Sequence, residues 1–570
     1  MKRLFQKRLI PVSRITTGEM RFEKGHDVHK VIYLFIFIAL IGIGFGVLLF
    51  RLFQLTIVKG AYYLRLSEEN RIREIVIEAT RGKIIDRKGM TIAENTDANA
   101  GDVSPRITSK RHYDTREETA HLIGYRQVAD KNDLKNDLCL QKLRLGDKTG
   151  KKGIERIYDC ELRGSAGEKV TEVDARGTYL RTIAVLPPVE GKTVQLSIDL
   201  DLQKKAYDAL KNKKGAAVVT NPKTGEILAF VSTPSYNPQE FEDGAPQVSA
   251  YFSGPDKALF NRATEATYPP GSIFKLFVAV GALEDHIIDD TTIIQDNGSI
   301  KAGGLSFGNW YFLEYGKTEG PVNIIKAIKR SNDIFFYQVG NKLGPAGIKK
   351  WASFFGFGSP LHSGFDEAEG LIPSPFWKEE VLKERWYTGD TYNMSIGQGY
   401  TLVSPLQLAH AVLPFATGGV QCNPSFIKNA PPICKRLSIS SKTMSLIREG
   451  MKEACSPGGT GWPFFNFSVK NIEMIEKKLS ETPENKKASV EAALNRDPAY
   501  HKPIQTACKT GTAESSQGAG TTPHAWFTAF APFDDPEIAV TVLVEQGGQG
   551  SDIAGPIVKD ILTSYFERSE

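Results

Sequence analysis

Residues 268–283 have the sequence YPPGSIFKLFVAVGAL, and this stretch decides which fold the rest of the chain must support. Residues 268–271 have the composition of a turn. Residues 273–283 are apolar apart from one lysine, and the run has the length of a buried helix. Residues three apart share one face of a helix, so Ser272 and Lys275 are expected to lie side by side. This pairing joins a nucleophile to a base, as acyl transfer by serine requires.

The setting of Lys275 favours its use as a base. A lysine accepts a proton near neutral pH only if burial or a neighbouring cation lowers its pKa. Apolar residues precede and follow Lys275, and a helix N-terminus at Ser272 would favour developing negative charge. The S-x-x-K pattern also occurs at residues 425–428, but no glycine turn accompanies it there. We therefore assign the nucleophile to Ser272 and the base to Lys275.

Lys-Thr-Gly occurs three times, and the surroundings separate the three copies. Residues 148–150 lie in a polar stretch, and residues 223–225 form the turn of a predicted β-hairpin. Residues 509–512 follow the apolar stretch 504–508 and precede two predicted strands. The lysine and hydroxyls of this third copy are therefore expected to line the edge of a sheet.

A third motif, Ser331-Asn332-Asp333, opens an apolar run at residues 334–339. Alone, a serine in this position is typical of a helix N-cap. The chain order S-x-x-K, S-x-N-like motif and K-T-G is a much stronger signal than any one of the three.

The regular elements around these motifs predict an α+β domain. Residues 216–219 and 227–231 predict a hairpin, residues 525–530 and 538–544 predict two more strands, and residues 553–566 predict a closing helix. We expect an antiparallel β-sheet packed between helices.

The N-terminus predicts a membrane anchor. The 570-residue chain has a formal net charge of +5, and its first 30 residues alone hold enough Lys and Arg to account for it. The remainder is nearly neutral, so no nucleic-acid surface is implied. Residues 31–50 carry no charge and are long enough to cross a bilayer as a helix. By the positive-inside rule the tail stays in the cytoplasm and the large C-terminal part lies outside it.

The chain therefore divides into a cytoplasmic basic tail and several further parts. These are the tail 1–30, a transmembrane anchor 31–50, an extended pedestal domain 51–192, and a catalytic domain 193–570 with a charged insertion at 469–497. Alternating charges in the insertion predict a solvated helical hairpin.

The six cysteines do not indicate a metal site, because they have no C-x-x-C spacing and no histidines at ligand spacing. No cofactor is expected either. An exported location permits disulfides, and both disulfides and six free thiols remain open.

These motifs together resemble the class B penicillin-binding proteins, monofunctional D,D-transpeptidases that cross-link peptidoglycan, and most closely the elongation-type penicillin-binding protein 2 group. The resemblance extends over nearly the whole chain beyond the anchor. It implies a pedestal (dimerisation-like) domain and a serine-transpeptidase domain. The signatures that carry it are residues 70–72, 81–87, 153–155, 158–159, 162–164, 268–275, 397–399, 405–407 and 509–514.

The resemblance implies catalytic roles for four residues. Ser272 would attack the carbonyl of the penultimate D-Ala of a stem peptide while Lys275 accepts its proton. Ser331 would relay a proton toward the leaving D-Ala, and Lys509 would provide the electrostatic field.

The resemblance also implies substrate-binding residues. Thr510 and Thr512 would bind the terminal carboxylate, and Gly511 between them would also belong to the substrate-binding strand. Backbone N–H groups of Ser272 and Thr512 would form the oxyanion hole. The general family pattern has Asn where this chain has Asp333. Asp333 is implied as a substrate-binding residue as well, although an ionised carboxylate, unlike an amide, cannot donate a hydrogen bond to the substrate backbone.

The partners implied are peptidoglycan stem peptides, β-lactams, the membrane and a glycosyltransferase of the SEDS family, but no nucleic acid. The location implied is the inner cell membrane, with one span and an extracytoplasmic catalytic domain. The alternatives are a β-lactamase, a catalytically weak scaffold or β-lactam-binding sensor, and a division-type transpeptidase. A bifunctional synthase is disfavoured, because the pedestal is too short for a glycosyltransferase.

Overall fold

The structure is a computed structural model that describes residues 28–96, 106–107, 109–174, 176–514 and 522–568. The predicted cytoplasmic tail lies outside these residues except for its last three. Inter-residue contacts divide the chain into two compact units. Of the described residues, the smaller unit contains those up to 75 and those between 169 and 185, and the larger contains those between 76 and 168 and those from 186 onward.

The smaller unit begins with the predicted apolar helix. The helix Val28–Phe53 continues through one π turn, Gln54–Val58, and is followed by the helix Gly60–Arg71. The helical stretch 29–58 is long and apolar enough to cross a membrane, and its most hydrophobic part buries none of its side chains within the protein. The unit also holds most of three strands that are neighbours in one sheet, Ile72–Ile77, Gly167–Val173 and Tyr179–Leu186.

The N-terminal part of the larger unit is built from short elements around buried charge. Arg81 and Arg111 both donate to the Glu155 carboxylate, at 2.6 and 2.8 Å, and all three side chains are buried. The strands are Ile84–Ile85, Thr91–Thr96, Arg106–Ile107, Lys110–Tyr113, Arg126–Val128, Lys148–Gly150 and Val194–Gln195. The helices are Ala120–Ile123, Lys131–Asn136, Gly153–Ile157 and Asp159–Arg163.

A five-stranded antiparallel sheet forms the centre of the larger unit, as the sequence predicted. Its strands, in chain order, are β1 (Gly215–Thr220), β2 (Ile227–Thr233), β3 (Ala507–Ala513), β4 (His524–Ala531) and β5 (Ile538–Val544). Their spatial order is β2-β1-β5-β4-β3. The K-T-G strand β3 is therefore an edge strand, which exposes one side to a cleft.

Alternating residues of the sheet pack against helices on opposite faces. On β4, Trp526 and Phe530 join the core cluster that contains the helix Lys275–Glu284. Phe527 joins the cluster that contains the closing helix Gly550–Phe566. The predicted sheet between helical layers is therefore confirmed.

The remaining elements surround this core. The helices are Leu200–Leu210, Pro238–Asp243, Val248–Ser253, Trp310–Tyr315, Ile324–Lys329, Asp333–Phe354, Pro375–Trp377, Thr388–Ser395, Pro405–Thr417, Ser441–Ala454, Ile472–Ser480 and Lys487–Leu494. The strands are Ile294–Asp296, Ser299–Ala302, Leu305–Gly308, Gly320–Val322, Val420–Cys422, Cys434–Arg436, Ser468–Lys470 and His501–Pro503.

All six cysteines are paired, which resolves the choice between disulfides and thiols that the sequence left open. The pairs are Cys139–Cys160, Cys422–Cys434 and Cys455–Cys508. The third pair joins the residue after the helix Ser441–Ala454 to the second residue of β3, directly before Lys509.

Candidate active site

Ser272 lies in a tight turn at the start of a buried helix. Residues Gly271–Ile273 form one 3₁₀ turn, and the α-helix begins at Lys275. Gly271 has a φ of 55°, and a Cβ at this position would approach the Thr512 carbonyl oxygen to 2.9 Å. Glycine thus lets the turn pack directly against β3. Ser272 precedes the α-helix instead of forming its first turn, but it remains at the N-terminal end, as expected.

Lys275 connects the first motif to the second. Its side chain is fully buried, and Nζ donates to the Ser331 carbonyl oxygen at 2.7 Å and to Asp333 Oδ1 at 2.6 Å. A longer contact of 3.3 Å reaches Ser331 Oγ. Among the described residues, no hydrogen bond joins Lys275 Nζ to Ser272 Oγ. The amino group of Lys275 is thus held by the second motif and not by Ser272.

Lys509 approaches the same serine from the opposite side. Lys509 Nζ donates to Ser331 Oγ at 2.9 Å and to the Thr510 carbonyl oxygen at 3.0 Å, and its side chain is also fully buried. Ser331 therefore contacts both lysines with one hydroxyl. Its backbone has a φ of 51°, an unfavourable left-handed conformation for a non-glycine residue.

Burial lowers the pKa of both lysines. For Lys275 the loss of hydration is the main cause, and the Asp333 carboxylate opposes it. The pKa of Lys509 falls well below its usual range through burial and the repulsion of Lys275. Low pKa values at a cleft are typical of functional sites.

Asp333 has no oxygen free of protein contacts. Oδ1 accepts from Lys275 Nζ, and Oδ2 accepts from the backbone N–H of Trp310 at 2.9 Å. The structure thus gives the carboxylate a protein ion partner that the sequence did not predict. Asn332, not Ser331, caps the following helix, since its side chain accepts from the Phe335 N–H.

The edge strand β3 supplies the remaining predicted residues. Thr510 Oγ1 donates to Thr460 Oγ1 at 3.1 Å, and Thr512 Oγ1 accepts from the Gly550 N–H at 3.3 Å. A Cβ at Gly511 would be 2.9 Å from the Trp526 Cβ and 3.0 Å from the Pro270 carbonyl oxygen. The predicted binding residues of β3 therefore lie beside the turn that carries Ser272.

These residues border one cleft of about 660 Å³. Ser272, Ser331, Asp333, Thr510 and Thr512 line it, whereas the two lysines are buried behind them. Aromatic and acidic side chains also line the cleft, namely Trp310, Tyr315, Tyr337, Trp462, Glu314, Glu514 and Asp552. The other copies of S-x-x-K and K-T-G do not line this cleft.

Sequence reasoning missed the side chains that hold the motifs in place. Gln398 bridges to β3, because its amide donates to the Thr512 carbonyl at 3.1 Å and accepts from the Glu514 N–H at 3.2 Å. Thr460, whose hydroxyl accepts from Thr510, lies in a loop whose sequence has no distinctive motif. Only Gln398 had a signal, because it lies in the Gly-Gln-Gly signature.

The fold and the cleft define a class of protein, the serine enzymes in which an S-x-x-K helix faces a K-T-G edge strand. A family model of the penicillin-binding protein transpeptidase domain matches residues 215–563, and one of the penicillin-binding protein dimerisation domain matches residues 99–196. The chain belongs to the penicillin-binding proteins with this two-domain, class B architecture.

Individual relatives agree with this assignment. The chain is 29% identical to the peptidoglycan D,D-transpeptidase MrdA of Haemophilus influenzae, over 92% of this chain and 90% of that protein. It resembles Pseudomonas aeruginosa PBP2, solved in complex with WCK 5153, with a TM-score of 0.69 and 31% identity over 87% of this chain and 97% of that one. It also resembles a chain of a peptidoglycan synthase complex that coordinates polymerization and crosslinking, with a TM-score of 0.70 and 25% identity over 96% and 99% of the two chains.

Proposed function

We propose that the protein is a serine-type peptidoglycan D,D-transpeptidase that cross-links stem peptides, acts in cell elongation and is inhibited by β-lactams. One observation carries the proposal most directly. Ser331 Oγ lies 2.9 Å from Lys509 Nζ and 3.3 Å from Lys275 Nζ, beside the turn that holds Ser272. This arrangement offers a proton path next to a nucleophile.

In the proposed acylation step, Ser272 Oγ attacks the carbonyl carbon of the penultimate D-Ala. Neutral Lys275 accepts the hydroxyl proton, and the carbonyl π electrons move onto oxygen. The backbone N–H groups of Ser272 and Thr512 stabilise this oxyanion. Lys275 must first lose its proton and turn from Asp333 toward Ser272, and burial helps because it lowers the lysine pKa.

Collapse of the tetrahedral intermediate breaks the amide bond to the terminal D-Ala. The leaving nitrogen receives a proton through Ser331, which contacts both lysines. An amine of a stem peptide on a neighbouring glycan strand then attacks the ester carbonyl. The new amide forms, and Ser272 Oγ regains a proton. The terminal carboxylate binds near Thr510 and Thr512, where the buried Lys509 contributes positive charge.

We propose a single-pass location in the inner membrane with the catalytic domain outside the cytoplasm. The apolar helix within residues 29–58 supports the anchor. The three disulfides support a location in an oxidising compartment, because thiols in the cytosol are kept reduced. The fold also resembles that of a chain of a peptidoglycan synthase complex. This supports a membrane-embedded SEDS glycosyltransferase as the partner that supplies glycan strands.

Labelling with a fluorescent penicillin tests the proposed nucleophile. We expect one covalent adduct per chain, and we expect Ser272→Ala to abolish it. Ser425→Ala is the matched control, because Ser425 begins the other S-x-x-K pattern and does not line the cleft. Labelling that survives Ser272→Ala would overturn the assignment.

The same preparation tests the proposed reaction. Incubation with stem-peptide donor and an acceptor strand should give cross-linked product and free D-Ala in equal amounts. Rapid turnover of nitrocefin would instead support a β-lactamase, and stable labelling without cross-linking would support the sensor alternative.

A further inference from the structure

Asp296 is a buried carboxylate that lies behind the second motif. It ends the strand Ile294–Asp296 and is 1% exposed. Oδ2 accepts from Asn309 Nδ2 at 2.8 Å, from Asn332 Nδ2 at 2.7 Å and from the Glu319 N–H at 3.2 Å. Oδ1 accepts from the Gly298 N–H at 2.7 Å. Every partner of this carboxylate is a neutral N–H donor.

No ion pair among the described residues includes Asp296. A buried charge without a cation is expensive unless hydrogen bonds compensate for the lost hydration. Four donors provide that compensation here. A carboxylate accepts at both oxygens, so its two oxygens match all four N–H donors. Such a group specifies the geometry of its donors more strictly than an apolar contact would.

Two of those donors, Asn309 and Asn332, connect Asp296 to the second motif. Asn309 is fully buried, and its amide oxygen accepts from the Asp333 N–H at 3.1 Å. Asn332 is also fully buried and lies between Ser331 and Asp333 in the chain. Its amide oxygen accepts from the Phe335 N–H at 2.9 Å. Asn309 thus joins Asp296 to the backbone of the second motif, and Asn332, itself a residue of that motif, joins Asp296 to the first turn of the helix that follows.

We propose that Asp296 is a positioning residue for acylation. Through Asn309 and Asn332 it holds Ser331 and Asp333 in the geometry in which both contact Lys275. Ser331 has a left-handed backbone with a φ of 51°, a conformation that persists only where its surroundings impose it. The Asp296 network imposes it. This inference rests on the proposed function, since it concerns the rate of the same acyl transfer.

Asp296→Asn tests the proposal with little change in volume. One carboxylate oxygen becomes an NH₂ group that faces donors, so at least one contact to Asn309, Asn332 or the neighbouring backbone is lost. Small displacements at a catalytic centre reduce rates by up to about 100-fold. We expect the first-order acylation constant with penicillin to fall about 10- to 100-fold. The dissociation constant of the non-covalent complex should change less than about twofold, because the cleft walls remain.

Asp86→Asn is the matched control. Asp86 is fully buried and accepts from the backbone N–H groups of Lys88 and Met90 at 2.7 and 2.8 Å, far along the chain from the motifs. It should lower the thermal midpoint comparably and leave the acylation constant within about twofold of wild type. A purely structural role for Asp296 predicts equal behaviour of the two variants.

Asn309→Ala provides a second variant if Asp296→Asn does not fold. It removes the link to Asp333 but leaves Asp296 bonded to Asn332. The acylation constant of Asn309→Ala should fall. If Asp296→Asn also folds, the double variant should lose less than the product of the two single losses. Independent effects in the double variant, or an acylation constant near wild type in either folded single variant, would overturn the proposal. Ser272→Ala in the same series separates the two claims: continued labelling of that variant rejects the proposed function itself.

Discussion

Lys275 Nζ and Asp333 Oδ1 are 2.6 Å apart, so the proposed base is paired with a carboxylate in the buried part of the cleft. The carboxylate favours the ammonium form and therefore raises the pKa of Lys275 against the lowering effect of burial. Removing the charge with Asp333→Asn should lower the lysine pKa further. Neutral lysine would then be present at lower pH, so we expect the rise of acylation rate with pH to shift toward lower pH.

Measuring the rate of penicillin acylation across pH for wild type and Asp333→Asn tests the direction of this shift. Asp285→Asn is the control, because Asp285 pairs with Lys350 at 2.8 Å on the surface and outside the cleft lining. It should leave the profile unchanged. A shift of the Asp333→Asn profile toward higher pH would show that the carboxylate does not stabilise the charged lysine.

The disulfide Cys455–Cys508 should matter to both stability and activity. It closes a separation of 53 residues, whereas Cys422–Cys434 closes 12. Chain entropy then predicts about 4 and about 3 kcal/mol of stabilisation, respectively. We expect paired Cys→Ala substitutions at 455 and 508 to lower the thermal midpoint more than those at 422 and 434.

Only the substitutions at 455 and 508 should also slow acylation, because Cys508 directly precedes Lys509 on β3. Thermal unfolding and penicillin labelling of the two double variants, measured in parallel, distinguish the effects. Equal loss of labelling in both would indicate a general effect on folding.

The sequence predicted the central sheet well, because a sheet depends on local patterns. The three motifs are local patterns too, and the structure brings residues of all three to one cleft. Near-continuous apolar runs on β4 and β5 specify strands that are buried on both faces of the sheet. The Lys275–Asp333 pair and the Asp296 network were beyond sequence reasoning. Both join residues that are distant in the chain, and a single Asp or Asn there has no periodic pattern. The cysteine pairing was open for the same reason.

The charged insertion should be dispensable for acylation once its boundary is adjusted. The predicted segment began at residue 469, but Val469 is 2% exposed and lies in a strand that pairs with His501–Pro503. Within 469–497 the other buried residues are Ile475 and Leu494. Replacing residues 472–497 with a short Gly/Ser linker keeps that strand pair. We expect labelling within about twofold of wild type, because exposed charges contribute little stability.

A variant that also replaces residues 468–471 serves as the comparison, since it removes the strand pair and should lower the thermal midpoint. Loss of labelling in the shorter replacement alone, with an unchanged midpoint, would reveal a functional role for the insertion at the cleft.

The proposed topology predicts that protease added to intact spheroplasts digests nearly the whole chain. A fragment of a few kilodaltons that contains the N-terminal tail and the apolar helix should remain protected. Immunoblotting against an N-terminal tag measures it, and a cytoplasmic marker protein controls for lysis. Protection of the catalytic domain would contradict the extracytoplasmic location.

The last prediction concerns the division of labour between the two buried lysines. If Lys275 is the base, it must exchange its proton, and Arg cannot do so because guanidinium stays protonated. Lys275→Arg should therefore lose acylation by about 100-fold or more, the scale of general-base loss. Lys509 is proposed to act through its field and its 2.9 Å contact with Ser331 Oγ, both of which a permanent cation can retain in part. Lys509→Arg should therefore keep measurably more activity than Lys275→Arg.

Lys223→Arg controls for the substitution itself, because Lys223 begins the K-T-G copy in the β1–β2 turn and pairs with Asp535 on the surface. Acylation rates of the three variants, each normalised to folded protein, give the comparison. A Lys275→Arg variant that labels with penicillin near the wild-type rate would overturn the assignment, because a permanent cation cannot accept the proton of Ser272. Equal losses at both lysines would instead indicate that they exchange protons through Ser331 as one unit.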